Sequence, residues 1–358
     1  MISAQREVTD GNIYFFSRSK VHNKSFEWES AKIYEIKSFD TNNFLKKITS
    51  NLIWSFRLFQ KIKNKKLDII CCHSLTILPL CFLLKKIFSN VKLIYEPHEY
   101  ETETIGISFF RKKISKFIEK VLIKQCDYLI FVTESIKNAY KKDYSIDHLR
   151  SIVITNATDL KYSHKTLKQN NYLREFYGIQ NKEPLFLYIG IFYKARKIIE
   201  LLEIFKKLEN KHIIFFGYGD LMKLIKESAE NYKNIHLHNP VDANLIPKYI
   251  SGADVGFSLL EDNLNHKLTM PNKIFQYLNS NIPSVVSTNT ESIKIKKEFD
   301  SGWIVDNKAT KIRKLIKSLT FEEIKSKTKN IEKVLKMYSW NIEKEKIIKF
   351  YRNIFLEN

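Results

Sequence analysis

Met270-Pro271-Asn272-Lys273-Ile274-Phe275-Gln276-Tyr277-Leu278, followed by Ile282-Pro283-Ser284-Val285-Val286-Ser287, is the stretch whose reading decides the fold. Pro271 and Asn272 suit a loop and the first turn of a helix. That helix carries Lys273 near its start and Gln276 one turn on. Its first turn has backbone N–H groups with no intrahelical partner, which makes a natural seat for an anion. The apolar run after it reads as a buried parallel strand. A polar loop, a phosphate-holding helix and a buried strand, in that order, suggest a nucleotide-sugar site.

Working outward, short apolar runs alternate with longer amphipathic ones, the pattern of an α/β layered fold. In the first half, strands are expected at Asn12–Phe16, Leu67–Cys72, Val91–Tyr95, Tyr128–Val132 and Ile152–Ile154. Helices are expected near Phe44–Ile62, Ile77–Phe88, Phe110–Gln125 and from Glu134. In the second half, strands are expected at Leu185–Ile189, His212–Phe216, Ile235–Leu237, Val255–Leu259 and Pro283–Ser287. The polar stretch Tyr162–Asn171 reads as a linker. The expectation is two Rossmann-like parallel-sheet domains facing a cleft, over residues 1–165 and 170–339, with a closing helix over 340–358 packed back on the first domain. Ligands in such sheets bind beyond the carboxyl ends of the strands.

At 358 residues the chain is long enough for two cores. No apolar run reaches the roughly 20 residues of a membrane span; Leu75–Leu84 is too short and runs into Lys85-Lys86. The first twenty residues include Arg6, Asp10 and Arg18 without an apolar core, so no signal peptide is expected. Cys71, Cys72, Cys81 and Cys126 form no C-x-x-C pair and read as buried thiols of a reducing cytoplasm. The net charge of +21 favours anionic partners, although its spread along the chain fits a lysine-rich composition equally well. Denser basic runs at Lys61–Lys66 and Arg111–Lys116 suit an anionic membrane surface at its inner face. No nucleic-acid reading motif occurs, so no nucleic-acid partner is expected.

Three segments carry candidate chemistry. Gly190-Ile191-Phe192-Tyr193-Lys194-Ala195-Arg196-Lys197 follows a strand and opens a helix; Gly190 permits a tight turn and Arg196 can neutralise a diphosphate. By itself it reads equally as a loop of solvated cations. Gly217-Tyr218-Gly219-Asp220 ends a strand where a nucleotide could lie against backbone, a weak signal since G-x-G closes many turns. Glu96-Pro97-His98-Glu99 opens an acidic cluster with one histidine; without context a solvated acidic loop is the better reading, and polar catalysis the other.

Taken together, the 270–287 stretch, the 190–197 loop, Gly217-Tyr218-Gly219 and Tyr95-Glu96-Pro97-His98-Glu99 resemble the retaining glycosyltransferases of family 4, which have the GT-B fold. Phe131–Ile136, Ile154–Asp159 and Tyr338-Ser339-Trp340-Asn341 resemble further family segments, so the likeness covers residues 67–358. It implies transfer of a sugar from a nucleotide diphosphate, uridine favoured, to a glycan or lipid-linked glycan of a surface polysaccharide. Anomeric configuration would be retained, with no cofactor and no metal; consistently, no D-x-D triplet occurs. By the same resemblance His98 lies near the reacting carbon, and Arg196 with Lys273 holds the diphosphate. Gly190, Gly217, Gly219, Asn272 and Gln276 line the donor, and Glu99 is structural or lies on the acceptor side. Three departures stand out. Ile191 replaces the family's first loop arginine, and Gln276 replaces a glutamate that accepts from ribose. The only glycine before Tyr100 is Gly11, so the family's opening strand–loop–helix unit is expected to be absent or rewritten, or the chain truncated. These departures keep a second reading open, a weak or inactive GT-B subunit that binds a glycan or a partner.

Overall fold

The computed structural model describes residues 2–39, 44–103, 106–157, 171–288 and 290–356. Of the anticipated linker only Asn171 is among them; the rest of it and the end of the 154–159 segment lie outside the described residues.

The C-terminal half is one parallel sheet. Its strands are β8 (Leu185–Ile191), β9 (His212–Tyr218), β10 (Ile235–His238), β11 (Val255–Ser258), β12 (Ser284–Ser287) and β13 (Gly302–Val305), in the order β10-β9-β8-β11-β12-β13. β8 and β11 are neighbours, and the chain leaves them in opposite directions across the sheet. That reversal opens a crevice past their carboxyl ends. The strands are buried on both faces, as a parallel sheet between helix layers requires. The helix Asn272–Asn279 is anchored there by Tyr277, whose hydroxyl receives the Ile189 N–H at 3.1 Å and donates to the Phe257 carbonyl at 3.0 Å. The Tyr277 ring fills the space over Gly256, where a Cβ would meet it at 2.7 Å.

The N-terminal half holds two sheets. β4 (Ile69–Cys72), β5 (Lys92–Tyr95), β6 (Tyr128–Phe131) and β7 (Arg150–Val153) are parallel and run in that order. β1 (Tyr14–Ser19), β2 (Lys24–Trp28) and β3 (Ala31–Lys37) form a separate sheet, β1-β3-β2, with β2 antiparallel to β3. No strand is expected from the sequence at β2 or β3. Their two-residue turn, Glu29-Ser30, has φ of 47° and 61° without the Asn-Gly chemistry that advertises such a turn.

The closing helix Trp340–Leu356 packs Ile347, Tyr351 and Ile354 against Ile94, Tyr128 and Ile130. The short helix Ile2–Arg6 joins it through Gln5 Nε2, which donates to Tyr351 at 2.8 Å. All four cysteines are free; Cys72, Cys81 and Cys126 are buried and Cys71 half-buried. No described helix is long and apolar enough to cross a membrane.

One buried charge organises the first core. Glu119 is fully enclosed and accepts hydrogen bonds from Tyr95 (2.7 Å), Tyr140 (2.8 Å) and Tyr144 (2.5 Å). Burial pushes its carboxyl above the ordinary range, and the hydroxyls pull it back. Glu119→Ala would strand three buried hydroxyls, each costing about 1–3 kcal/mol. Urea unfolding is expected to show a loss of at least about 3 kcal/mol; a loss under about 1 kcal/mol would contradict this role.

Candidate active site

The site forms where β8 and β9 end and the helix Asn272–Asn279 begins. Gly217 and Gly219 let two loops touch. A Cβ on Gly217 would lie 2.0 Å from the Gly190 carbonyl oxygen, and one on Gly219 would lie 2.6 Å from Phe192 backbone. The space these glycines leave is therefore taken by the chain's own backbone. The contact is locked by the Phe192 N–H donating to Tyr218 (2.6 Å) and the Leu221 N–H donating to Phe192 (3.2 Å).

Beyond this wall the loop makes a turn of 3-10 helix, Lys194–Arg196, and Lys197 adopts a left-handed conformation (φ 57°) to start the helix Ile198–Phe205. Arg196 is half-buried. From the other side Lys273 reaches inward from the helix's first turn. Its Nζ lies 3.7 Å from the Tyr188 ring centroid and 3.7 Å from where a Cβ on Gly190 would stand. The residue keeps some surface, but the ammonium is enclosed. Burial first, and then the charge of Arg196, push it well below the ordinary lysine range. Neither cation has a carboxylate within ion-pair distance among the described residues. Two neighbouring cations thus line one crevice at the carboxyl end of β8. Asn272 is exposed on the same first turn, and the Gln276 side chain is half-buried with no hydrogen-bond partner among the described residues.

The opposite wall comes from the loop after β5. Cys71, His73 and Glu96 bring their ligand-type atoms within 4.8 Å of one another. Burial and then Glu96 push the Cys71 thiol well up, so it stays protonated, 3.5 Å from Glu96 Oε2. His73 Nδ1 is 3.1 Å from the same oxygen. His98 stacks on His73 with centroids 5.4 Å apart. The residue is exposed overall, yet its ring is crowded on that side; burial lowers its pKa, and Glu96 pulls it partly back.

Glu99 faces the other domain. Its Oε2 accepts from Asn265 Nδ2 at 2.9 Å, while Asn265 Oδ1 accepts the Tyr100 N–H at 3.0 Å. Asn265 thus holds the His98 loop against the second domain. Beside it, buried His266 feels the charges of both Arg196 and Glu99 and is lowered chiefly by burial. Neither Asn265 nor His266 belongs to any motif of the sequence. The asparagine cap at Asn263, which accepts from the His266 N–H at 2.9 Å, is the one local sign of a helix there. Thr133, donating to the Leu268 carbonyl at 2.8 Å, and Ser135 N–H, donating to Glu291 at 3.0 Å, add further ties across the cleft.

Comparison with known proteins agrees with this geometry. Residues 14–162 match the model of Glycosyltransferase Family 4, and residues 183–320 match Glycosyl transferases group 1. The first match begins well before residue 67, where the sequence likeness was expected to start. An uncharacterized glycosyltransferase, MJ1069, of Methanocaldococcus jannaschii is 25% identical over 68% of this chain and 65% of its own length. The O-antigen chain mannosyltransferase RfbU of Salmonella typhimurium is 25% identical over 48% of this chain and 47% of its own length. The matches therefore span less than two thirds of these relatives. Among solved structures, sucrose-phosphate synthase from Thermosynechococcus elongatus superposes with a TM-score of 0.82 at 14% identity, covering 100% of this chain and 92% of the other. Anabaena Alr3699/HepE in complex with UDP-glucose does so with a TM-score of 0.70 at 11% identity, covering 91% and 86%. The two-domain fold, the two family models and the cation pair at the switch point converge: this chain belongs to the family 4, group 1 glycosyltransferases of GT-B fold.

Proposed function

We propose that this glycosyltransferase takes its sugar from a nucleotide diphosphate, UDP favoured, and passes it to a glycan or lipid-linked glycan with retention and without a metal. The observation that carries the reading is the uncompensated pair Arg196 and Lys273 at the carboxyl end of β8. A diphosphate placed there gains two charge-assisted partners and the free N–H groups of the Asn272–Asn279 first turn. These supply the charge that a divalent ion would otherwise bring to the leaving group. Lys273 also stands beside Gly190, next to the position where Ile191 replaces the family's arginine, which supports a compensating role. Gly217 and Gly219 form the wall for the nucleoside, and Gln276 offers an amide oxygen to the ribose. His98 faces the sugar from the first domain. The bond from the anomeric carbon to the bridging phosphate oxygen breaks, its electron pair leaving with the diphosphate, as the acceptor oxygen bonds on the same face and the acceptor proton passes to the departing phosphate. The UDP-glucose complex of Alr3699/HepE and the O-antigen function named for RfbU support this choice of donor and product class.

The acceptor's membrane location is supported by an exposed surface. Helix Phe109–Leu122 shows Phe109, Phe110 and Phe117 at 70–73% exposure, interleaved with Lys113 and Lys120. Leu52 and Phe56, on helix Phe44–Ile62, are also over 60% exposed. Aromatic residues between lysines suit insertion at an anionic interface.

Two outcomes are expected. In a thermal-shift screen of UDP-, GDP- and ADP-sugars, one donor at about a hundred times its Kd stabilises the fold by roughly 2.7 kcal/mol. Arg196→Met weakens that donor's binding about 10- to 100-fold, the worth of a hydrogen bond to a charged group. No shift with any donor from folded protein would turn the reading toward a non-catalytic subunit. Separately, flotation with phosphatidylglycerol vesicles is expected to carry the chain in low salt and lose it in high salt. Absence of salt-sensitive flotation removes the membrane part of the proposal.

A further inference from the structure

The ends of β4 and β5 bring together three side chains to which the proposed reaction gives no role. The two strands are parallel, with Cys71 beside Ile94 and Cys72 beside Tyr95. The Glu96 N–H donates to the Cys72 carbonyl at 2.8 Å, so the pairing runs one residue past β5 and sets Glu96 beside His73. Cys71 and His73 are two positions apart, and strand alternation puts their side chains on one face.

The donor atoms have the spacing of a tetrahedral metal site. Cys71 Sγ lies 3.5 Å and His73 Nδ1 3.1 Å from Glu96 Oε2, and the ligand atoms of all three lie within 4.8 Å of one another. Zinc bonds of about 2.3 Å to sulfur and about 2.0–2.1 Å to nitrogen and oxygen, at tetrahedral angles, put sulfur about 3.5 Å and nitrogen about 3.3 Å from the oxygen. Hydrogen bonding gives similar spacings, and Cys71 makes such a bond to Glu96. His73 does not. Its Nδ1 is enclosed and has no hydrogen-bond partner, although Glu96 Oε2 stands 3.1 Å away. The contact fails on direction and not on distance. Glu96 itself is 3% exposed, and among the described residues its only ion-pair partner is this misdirected histidine. A buried carboxylate is ordinarily well paired or coordinates a metal.

The surroundings suit a ligand set. The Tyr351 hydroxyl bonds the Cys71 sulfur and receives Gln5 Nε2 at 2.8 Å. Outer hydrogen bonds of this kind orient a ligating group. Cys71 and His73 are only half-buried, which gives an ion a way in.

We infer that Cys71, His73 and Glu96 bind one divalent ion of the zinc class, with the fourth position left to water. Sulfur and imidazole ligands select such an ion over magnesium or calcium, which take oxygen. On ligation the S–H bond breaks, the proton leaves to solvent and the sulfur keeps the electron pair. The ion lies on the first domain, against the His73 ring on which His98 stacks. It is therefore separate from Arg196 and Lys273, the cations proposed for the leaving group on the second domain. Glu96 stands two residues before His98, so an occupied site ties down the base of the loop that carries it.

Cobalt and zinc titrations of the full chain, stripped with chelator, test this. Cobalt chloride is expected to bind at about one equivalent, with visible bands of tetrahedral intensity and a sulfur-to-cobalt charge-transfer band in the near ultraviolet. Zinc chloride is expected to bleach both, as the tighter-binding ion. Cys71→Ser is expected to lose the charge-transfer band. His73→Gln is expected to weaken cobalt binding about tenfold or more, the least that losing even an outer-shell partner costs. Circular dichroism without metal establishes that each variant is folded, and His73→Gln, on a half-exposed side chain, keeps the test open if Cys71→Ser unfolds. Folded protein that gives no charge-transfer band at saturating cobalt would overturn the inference. So would a band that survives in folded Cys71→Ser, or cobalt affinity unchanged in folded His73→Gln, since either places the ion elsewhere.

Discussion

The structure turns on a charge without a partner. Lys273 is held in an apolar crevice, against the Tyr188 ring and near a second cation, with no carboxylate at ion-pair distance among the described residues. A folded chain avoids that arrangement unless something is gained, since a buried ammonium shifts its pKa or finds a counterion. The elements around it are arranged to hold it there. Tyr277 pins the helix that carries Lys273 to β8 and β11, and Gly256 makes room for its ring. Gly217 and Gly219 bring the two strand-end loops into contact, so the wall beneath the cation is rigid backbone.

The second domain supplies the cation pair, and the first supplies the face opposite. What couples them is a small set of polar ties. Asn265 grips both Glu99 and the Tyr100 backbone, so the loop bearing His98 is positioned by the domain that carries Arg196 and Lys273. Glu119 and its three tyrosines anchor the layer behind that loop. Positioning of this kind matters because a reacting group misplaced by about 1 Å can cost about a hundredfold in rate.

Much of this was legible from local pattern. The helix after Pro271, the buried run after it and the alternation of strands with helices follow from periodicity and breaker residues, which report on short-range physics. The β2–β3 hairpin was not legible, because Glu29 and Ser30 take left-handed angles that their side chains do not signal. The roles of Gly217 and Gly219 were only half legible. A G-x-G says that backbone comes close to something, and here part of that something is the neighbouring loop. Asn265 was invisible, since its partners stand about 165 positions away in the chain. Lys273 could be placed near a helix start, but not known to point inward beside Arg196.

The most direct test of the central claim is the stability of Lys273→Met beside the unaltered chain, with and without UDP. The unaltered chain's lysine has a folded pKa below its unfolded value, so its cost is full at low pH and fades as pH rises toward the ordinary lysine range. The account predicts that without ligand, near pH 7, Lys273→Met melts at a temperature equal to or above the unaltered chain. It predicts that saturating UDP then raises the melting temperature of the unaltered chain and leaves the variant nearly unmoved. A variant that is clearly less stable without ligand, yet gains as much from UDP, would show that Lys273 serves packing alone and that the anion is held elsewhere.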